Sequence, residues 1–287
     1  MTAEGPSILV ASDGSPHSLR ILPFAKAFAQ TAGLSVVVGE VVRPNAVRPQ
    51  SGESRQAATA RLVDAAMQQL RGALQAAGVE GRVVATLARE DDRLIGDAIV
   101  RQADEADAVM LAMDTRGYGV LHQALHGSVA LDVIGRTTRP VMLNSAVLAE
   151  APSPAAPYRI LATSDGSPAS EEVLRALAPL LAPERFAVSL LRVVDRDATS
   201  PSEAERQLTS LVPLFLPGLQ VETKVREIAR GGGIESAILE EARAAGAHAI
   251  AMSTHGITAR RHLVAGGTAL AVLGRSTLPV IMARGDD

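Results

Sequence analysis

The sequence predicts two tandem α/β domains of the doubly wound class, each a five-stranded parallel sheet with helices on both faces. Three observations predict it. The chain repeats itself: SILVASDGSPHS from Ser7 returns as RILATSDGSPAS from Arg159, and an apolar run behind Pro140 returns behind Pro279. Within each copy, short aliphatic and β-branched runs alternate with longer segments of helical period, the order that builds βαβ units. Aromatic residues are scarce, with four Phe, two Tyr and no Trp in a chain that is 47% hydrophobic. The core must therefore be Ala, Val, Leu and Ile, which suits strands buried on both faces.

In the first copy, strands are expected near Ile8 to Ser12, Ser35 to Val42, Arg82 to Leu87, Ala108 to Met113 and Val141 to Asn144. Helix one follows Ser15-Pro16, the serine serving as N-cap and the proline opening the helix. Helix two covers Arg55 to Ala77 and stops at Gly78; helix three covers Leu94 to Asp104; helix four runs from Ser128 to Arg136. The second copy repeats the order, with strands near Ile160 to Ser164, Ala187 to Val194, Gln220 to Val225, Ala249 to Ser253 and Val280 to Ala283. Its second helix is expected to be short and interrupted by Pro213 and Pro217.

At 287 residues, the chain has room for two domains. They are expected at 1–148 and 158–287, joined over 149–157 by AEAPSPAAP, whose prolines favour an extended linker. A net charge of -3 offers no electrostatic footprint for nucleic acid. Without cysteine there is neither a disulfide framework nor a thiolate metal site. The opening MTAEGPS lacks the regions of a signal peptide, and no apolar run reaches the roughly 18 residues that span a bilayer. A soluble cytoplasmic protein with no membrane partner is the expectation.

In such a fold, ligands bind beyond the carboxyl ends of the strands, where strand order reverses. Asp13 and Asp165 stand there, each after strand one, and each either binds a ligand's polar edge or caps the turn into helix one. The loop after strand four is glycine-bearing in both copies. In the second it reads Ser253-Thr254-His255-Gly256, then nine residues containing Arg260 and Arg261, then Gly266-Gly267-Thr268. Glycines at both ends let backbone approach a ligand, and the amino end of helix four favours an anion such as phosphate. Other candidates carry less. Gly231-Gly232-Gly233 is not followed by the Lys-Ser/Thr of a phosphate-binding P-loop. His122, His126, His255 and His262 have no zinc-type spacing, and Glu90, Asp91 and Asp92 read as a solvated loop. No nucleophile, base and orienting group are placed together by motif, so the chain reads as a binder rather than a catalyst, at most hydrolysing a bound nucleotide slowly.

The S-D-G-S turn, the M-S-T-H-G turn, the nine-residue spacer and the closing L-P-V-I resemble the universal stress protein family in tandem, Rossmann-like form. The resemblance covers both copies. It implies an adenine nucleotide ligand, ATP with Mg or AMP, in a stress-response regulator or sensor. ATP-binding members carry Gly, two residues, Gly, nine residues, Gly and then Ser or Thr. In the second copy this falls on Ser253, Gly256, Gly266 and Gly267, with Thr268 one position later as the hydroxyl. In the first it falls on Asp114, Gly117, Gly127 and Ser128. Asp114 then faces the phosphates, where two like charges at ~4 Å cost on the order of 1 to 4 kcal/mol, with Arg116 as an offset. The second copy is accordingly the expected main site, with His255 and Arg260 in its loop. The resemblance also implies that main chain at the end of strand two, Val41-Val42 and Val193-Val194, reads the adenine; as side chains, these valines are ordinary buried strand residues. The substitutions at Asp114, Ser253 and Gly267 leave open a second function, an interaction or scaffold protein whose pockets have lapsed. Finally, an apolar fifth strand is a liability at a sheet edge. Val141-Met142-Leu143 and Val280-Ile281-Met282 are expected to cover one another in a pseudo-twofold pair, and a homodimer of the whole chain is a further possibility.

Overall fold

The structure, a computed structural model, describes residues 5–89, 92, 94–115, 128–144, 150–151, 157–196, 200–254 and 266–284. The first half contributes β1 (Ser7–Ser12), α1 (Leu22–Ala32), β2 (Ser35–Val42), α2 (Arg55–Ala76), β3 (Arg82–Leu87), α3 (Ile95–Glu105), β4 (Ala108–Asp114), α4 (Ser128–Ile134) and β5 (Val141–Asn144). The second contributes β6 (Tyr158–Thr163), α5 (Glu172–Leu177), β7 (Phe186–Asp195), α6 (Pro201–Phe215), β8 (Gln220–Ile228), α7 (Ile234–Ala244), β9 (Ala249–Ser253), α8 (Gly267–Arg275) and β10 (Val280–Ala283).

All ten strands join one sheet, in the order β3-β2-β1-β4-β5-β10-β9-β6-β7-β8. Every pairing inside a half is parallel; β5 and β10 meet antiparallel, with Val280 opposite Leu143 and Met282 opposite Val141. The two apolar fifth strands thus cover one another, as an edge of that composition requires. Strand order reverses between β1 and β4 in one half and between β6 and β9 in the other, which fixes the two crevices at the carboxyl ends of these strands.

Successive strand residues point to opposite faces, and each face carries its own core. Ile8, Val10, Val38, Ala112, Met142, Ile160, Leu190, Ala251 and Ile281 pack under α1, α2, α5 and α6. Leu9, Val37, Leu111, Leu143, Leu161, Leu191, Ile250 and Met282 pack under α3, α4, α7 and α8. Both cores run through both halves. Three of the few aromatic rings sit together at that join: Phe28 of α1 lies edge-on to Tyr158 at a centroid distance of 5.6 Å and 5.5 Å from Phe186.

The elements differ from expectation chiefly at their ends. Helix one is preceded by a 3-10 turn over Ser18–Ile21, whose Ser18 N–H donates to Ser15 Oγ at 3.2 Å, so the serine caps the tighter turn. α6 is shorter than α2 but unbroken: Pro213 falls in its last turn, so that no helix remains beyond it to be displaced, and Pro217 lies beyond its end. Among the described residues no helix is long and apolar enough to cross a membrane.

Candidate functional site

Each crevice starts at the turn after the first strand of its half. Gly14 and Gly166 take φ of 75° and 83°, a left-handed conformation that glycine adopts without strain. Asp165 Oδ1 accepts from Ser167 N at 3.0 Å and from Ser167 Oγ at 2.6 Å; Asp13 does the same with Ser15 at 3.2 and 2.7 Å. Of the two roles open to these aspartates, turn capping is therefore realised through Oδ1. Beneath the turn, Ser12 Oγ meets Ser18 Oγ at 2.7 Å, and Ser164 meets Ser170 at 2.9 Å, so both halves build the same serine-lined support.

The position aligned with the family's first glycine behaves differently in the two halves. Asp114 is engaged by side chains of its own half. Alternation along β4 turns it to the α1 face with Met110 and Ala112, where Oδ1 lies 3.2 Å from Arg20 Nη2 and 3.3 Å from His17 Nε2. The cation that offsets this carboxylate among the described residues is therefore Arg20; Arg116 lies outside them. Burial pushes the Asp114 carboxyl above the usual range, outweighing the hydrogen bond and charge of Arg20 and the weaker field of His17. Its Oδ2, and both amide atoms of Asn144 beside it on β5, are sealed from solvent without a partner.

In the second half, Ser253 takes the same direction without charge. Its hydroxyl donates to Ser170 O at 3.1 Å and accepts from Val173 N at 3.0 Å, which ties β9 to the start of α5. The residues aligned with His17 and Arg20 are Ala169 and Glu172, so no ion bridge crosses this crevice among the described residues. Neither Arg20 nor His17 is signalled by any motif. Comparison of the copies holds the available clue, since the histidine and the arginine disappear together with the carboxylate they face.

At the far side of the second crevice, Gly266 N donates to Thr254 O at 2.5 Å and closes the ends of the loop onto each other. That amide is therefore occupied. Gly266 is the N-cap of α8, and no side chain caps it. The next amides, of Gly267, Thr268 and Ala269, have no partner within the helix. A Cβ at Gly267 would meet nothing within 4 Å, and one at Gly266 only Thr254 O at 3.4 Å. Among the described residues, space is thus left beside the amino end of α8. Thr268 is half-buried in the first turn. His255, Gly256 and Arg260, like Gly117 and Gly127, lie outside the described residues; Ser128 opens α4.

At the end of strand two, the main chain of the two expected valines in each half points to opposite sides. The carbonyl of Val42 accepts from Ala88 N at 2.9 Å and is committed to the β3 side. In β7, Leu191 O accepts from Ser164 N at 3.0 Å, so alternation directs Val193 toward the β6 side and Val194 toward β8. The backbone facing the crevice is that of Val41 and Val193. Elsewhere in the first half, a cleft of about 880 Å³ between α1, β2 and the α2–β3 connection includes Lys26, Glu80 and Arg82, at the opposite end of the strands from the crevice. Among the described residues no group of three or more metal-binding side chains gathers.

These features meet the comparisons with known proteins at one point. A universal stress protein from Archaeoglobus fulgidus DSM 4304 superposes with a TM-score of 0.69 at 19% identity, covering 98% of this chain and 97% of that one. A functionally unknown protein from Pseudomonas aeruginosa PAO1 gives 0.60 at 16% identity, covering 98% and 93%. At these identities the likeness shows the fold. No functionally curated protein matches the chain. The model of the universal stress protein family matches twice, over residues 6–144 and 158–284. With nearly its whole length matched, and in two successive copies, the chain belongs to the universal stress protein family.

Proposed function

We propose that this stress-response protein binds an adenine nucleotide, chiefly in its second half, and acts as a regulator or sensor rather than as an enzyme. The observation that carries the reading is the amino end of α8, where Gly266 leaves the first-turn amides without a side-chain cap and Gly267 leaves open space beside them. A phosphate takes the place of a cap there, favoured by the helix dipole. Asp165 and the Val193–Val194 main chain hold the adenosine end, while Gly256, Gly266, Gly267 and Thr268 surround the phosphates, with Ser253, His255 and Arg260 on the connecting loop. Mg accompanies ATP as its usual counter-ion. Asp13, Val42, Gly117, Gly127 and Ser128 form the weaker counterpart, which suits AMP or adenosine better than ATP.

Isothermal titration with ATP tests this. The wild type gives saturable heat; Gly266→Glu, which has room for a side chain but brings a like charge to the phosphates, loses tenfold or more in affinity, in line with roughly 1 to 4 kcal/mol. No heat at high micromolar ATP removes the reading.

One observation favours a second reading, a scaffold with lapsed pockets. Both Asp114 and Ser253 are engaged at the start of the first helix of their half, Asp114 by Arg20 and Ser253 by Val173 N–H. Mass spectrometry of gently purified protein separates the two, because near-stoichiometric co-purified nucleotide contradicts a lapsed pocket.

A further inference from the structure

We propose that Arg192 anchors an oxyanion subsite of phosphate class beside the Asp165–Gly166 turn, on the opposite face of the sheet from the amino end of α8. Thr163 of β6 pairs with Leu191, and alternation from Val188 and Leu190 sends Arg192 to the α5/α6 face, whereas the apolar side of α8 packs on the other. The residue is 8% exposed. A Cβ built on Gly166 would meet its Nη1 at 2.5 Å, Cζ at 2.8 Å and Nη2 at 2.9 Å, so the guanidinium lies against the glycine of the turn. Nη1 donates to Oε1 of Gln207 on α6, a neutral amide. Among the described residues no carboxylate pairs with Arg192, and none of its nitrogens is among the sealed atoms left without a partner.

A cation this buried, held by an amide and lacking a counter-charge, is unfavourable until an anion arrives. The guanidinium is also the side chain whose planar fork matches phosphate oxygens. The first half inverts the arrangement. Glu40 stands at the aligned position of β2, in register with Ser12, and Gln69 donates to Gly14 O at 2.7 Å. Glu40 Oε2 is sealed without a partner, 3.1 Å from where a Cβ on Gly14 would lie, and burial pushes its carboxyl up. The same turn, with a glutamine from the long helix beside it in each half, therefore lies over an acidic side chain in one half and a basic one in the other. An oxyanion belongs only to the second half.

The phosphate can be free or carried on the ribose of a ligand held at Asp165, and the arms of one experiment separate these sources. Melting of the full chain is followed with inorganic phosphate, adenosine and adenosine 3′-phosphate, on the wild type, Arg192→Gln and Gln207→Glu. A free-anion site gives a rise of about 3 °C with inorganic phosphate at ten times its Kd in the wild type. A ligand-borne phosphate gives tighter binding of adenosine 3′-phosphate than of adenosine, with no response to inorganic phosphate. In either case Arg192→Gln loses the phosphate effect and keeps the adenosine effect. Gln207→Glu supplies an internal counter-charge, so it melts higher without ligand and also loses the phosphate effect, which covers the case of an Arg192 variant that does not fold. Phosphate effects equal in the wild type and Gln207→Glu, or absent from the wild type, overturn the subsite. Failure of adenosine to bind the wild type counts against the nucleotide reading and leaves the inorganic phosphate result standing.

Discussion

Asp114 shows how one residue resolves opposing terms. Its carboxylate lies beside the Arg20 guanidinium and the His17 ring, yet desolvation dominates and raises its pKa. A carboxyl whose folded pKa lies above its ordinary value binds protons more readily in the fold, so its contribution to stability falls as pH rises from the ordinary range through the raised value. Arg20 and His17 are about a third exposed and return to water if the carboxylate is removed. Asp114→Asn is therefore expected to melt higher than the wild type at pH 7, the gap shrinking as pH approaches 4; calorimetry across that range checks it. Gly267 offers the complementary test, since open space surrounds its Cβ position. Gly267→Ser restores the hydroxyl of the ATP-binding pattern and should tighten ATP binding about three- to tenfold, the value of one further hydrogen bond, as read by titration.

At the scale of elements, legibility followed local chemistry. The extents of β2, β3, β5, β9 and β10 could be read directly, because a glycine or proline stands just ahead of each apolar run. The start of α2 also falls where expected, and the structure supplies the reason: Ser54 Oγ accepts from Ala57 N at 3.1 Å and caps it. Ser54→Ala should cost about 1 kcal/mol, with thermal denaturation showing a fall of about 2 to 4 °C. Less legible were features decided by a strand's alternation or by a distant partner. Sequence spacing places Asp114 and Ser253 on the phosphate loop, but the parity of β4 and β9 turns both side chains to the other face. Parity likewise divides the Val193-Val194 pair, turning the main chain of Val193 toward β6 and that of Val194 toward β8. The salt bridge from Arg20 to Asp114 spans 94 residues, and no local pattern announces it.

The whole molecule is held by a junction of sheet and core. Ile281, fully buried on β10 and opposite Met142, lies at its centre. Ile281→Lys would bury an unpaired charge there and should destabilise the chain by more than about 3 kcal/mol, with limited proteolysis showing early cleavage. His248 contributes a pH dependence to the same join. Its ring lies 5.1 Å from Tyr158, which meets Phe28 of the other half, and its Nδ1 accepts the Arg159 N–H at 3.2 Å. Burial, and then the charge of Arg159, lower its pKa below 6.5. The neutral ring is the one the fold favours, so its contribution is complete above pH 6.5 and is lost as pH falls through the lowered value. Wild type should thus lose more stability between pH 7 and 5 than His248→Asn, which keeps an acceptor but cannot take the proton; paired melting curves measure the difference.

The antiparallel meeting of β5 and β10 also changes how the two halves depend on concentration. Because both strands belong to one polypeptide, their encounter is intramolecular and its equilibrium is unaffected by dilution. The two crevices therefore stay in a fixed one-to-one ratio whatever the abundance of the protein. A change in one copy, such as the charge inversion between Glu40 and Arg192, is always expressed beside its counterpart and never diluted among identical pairs.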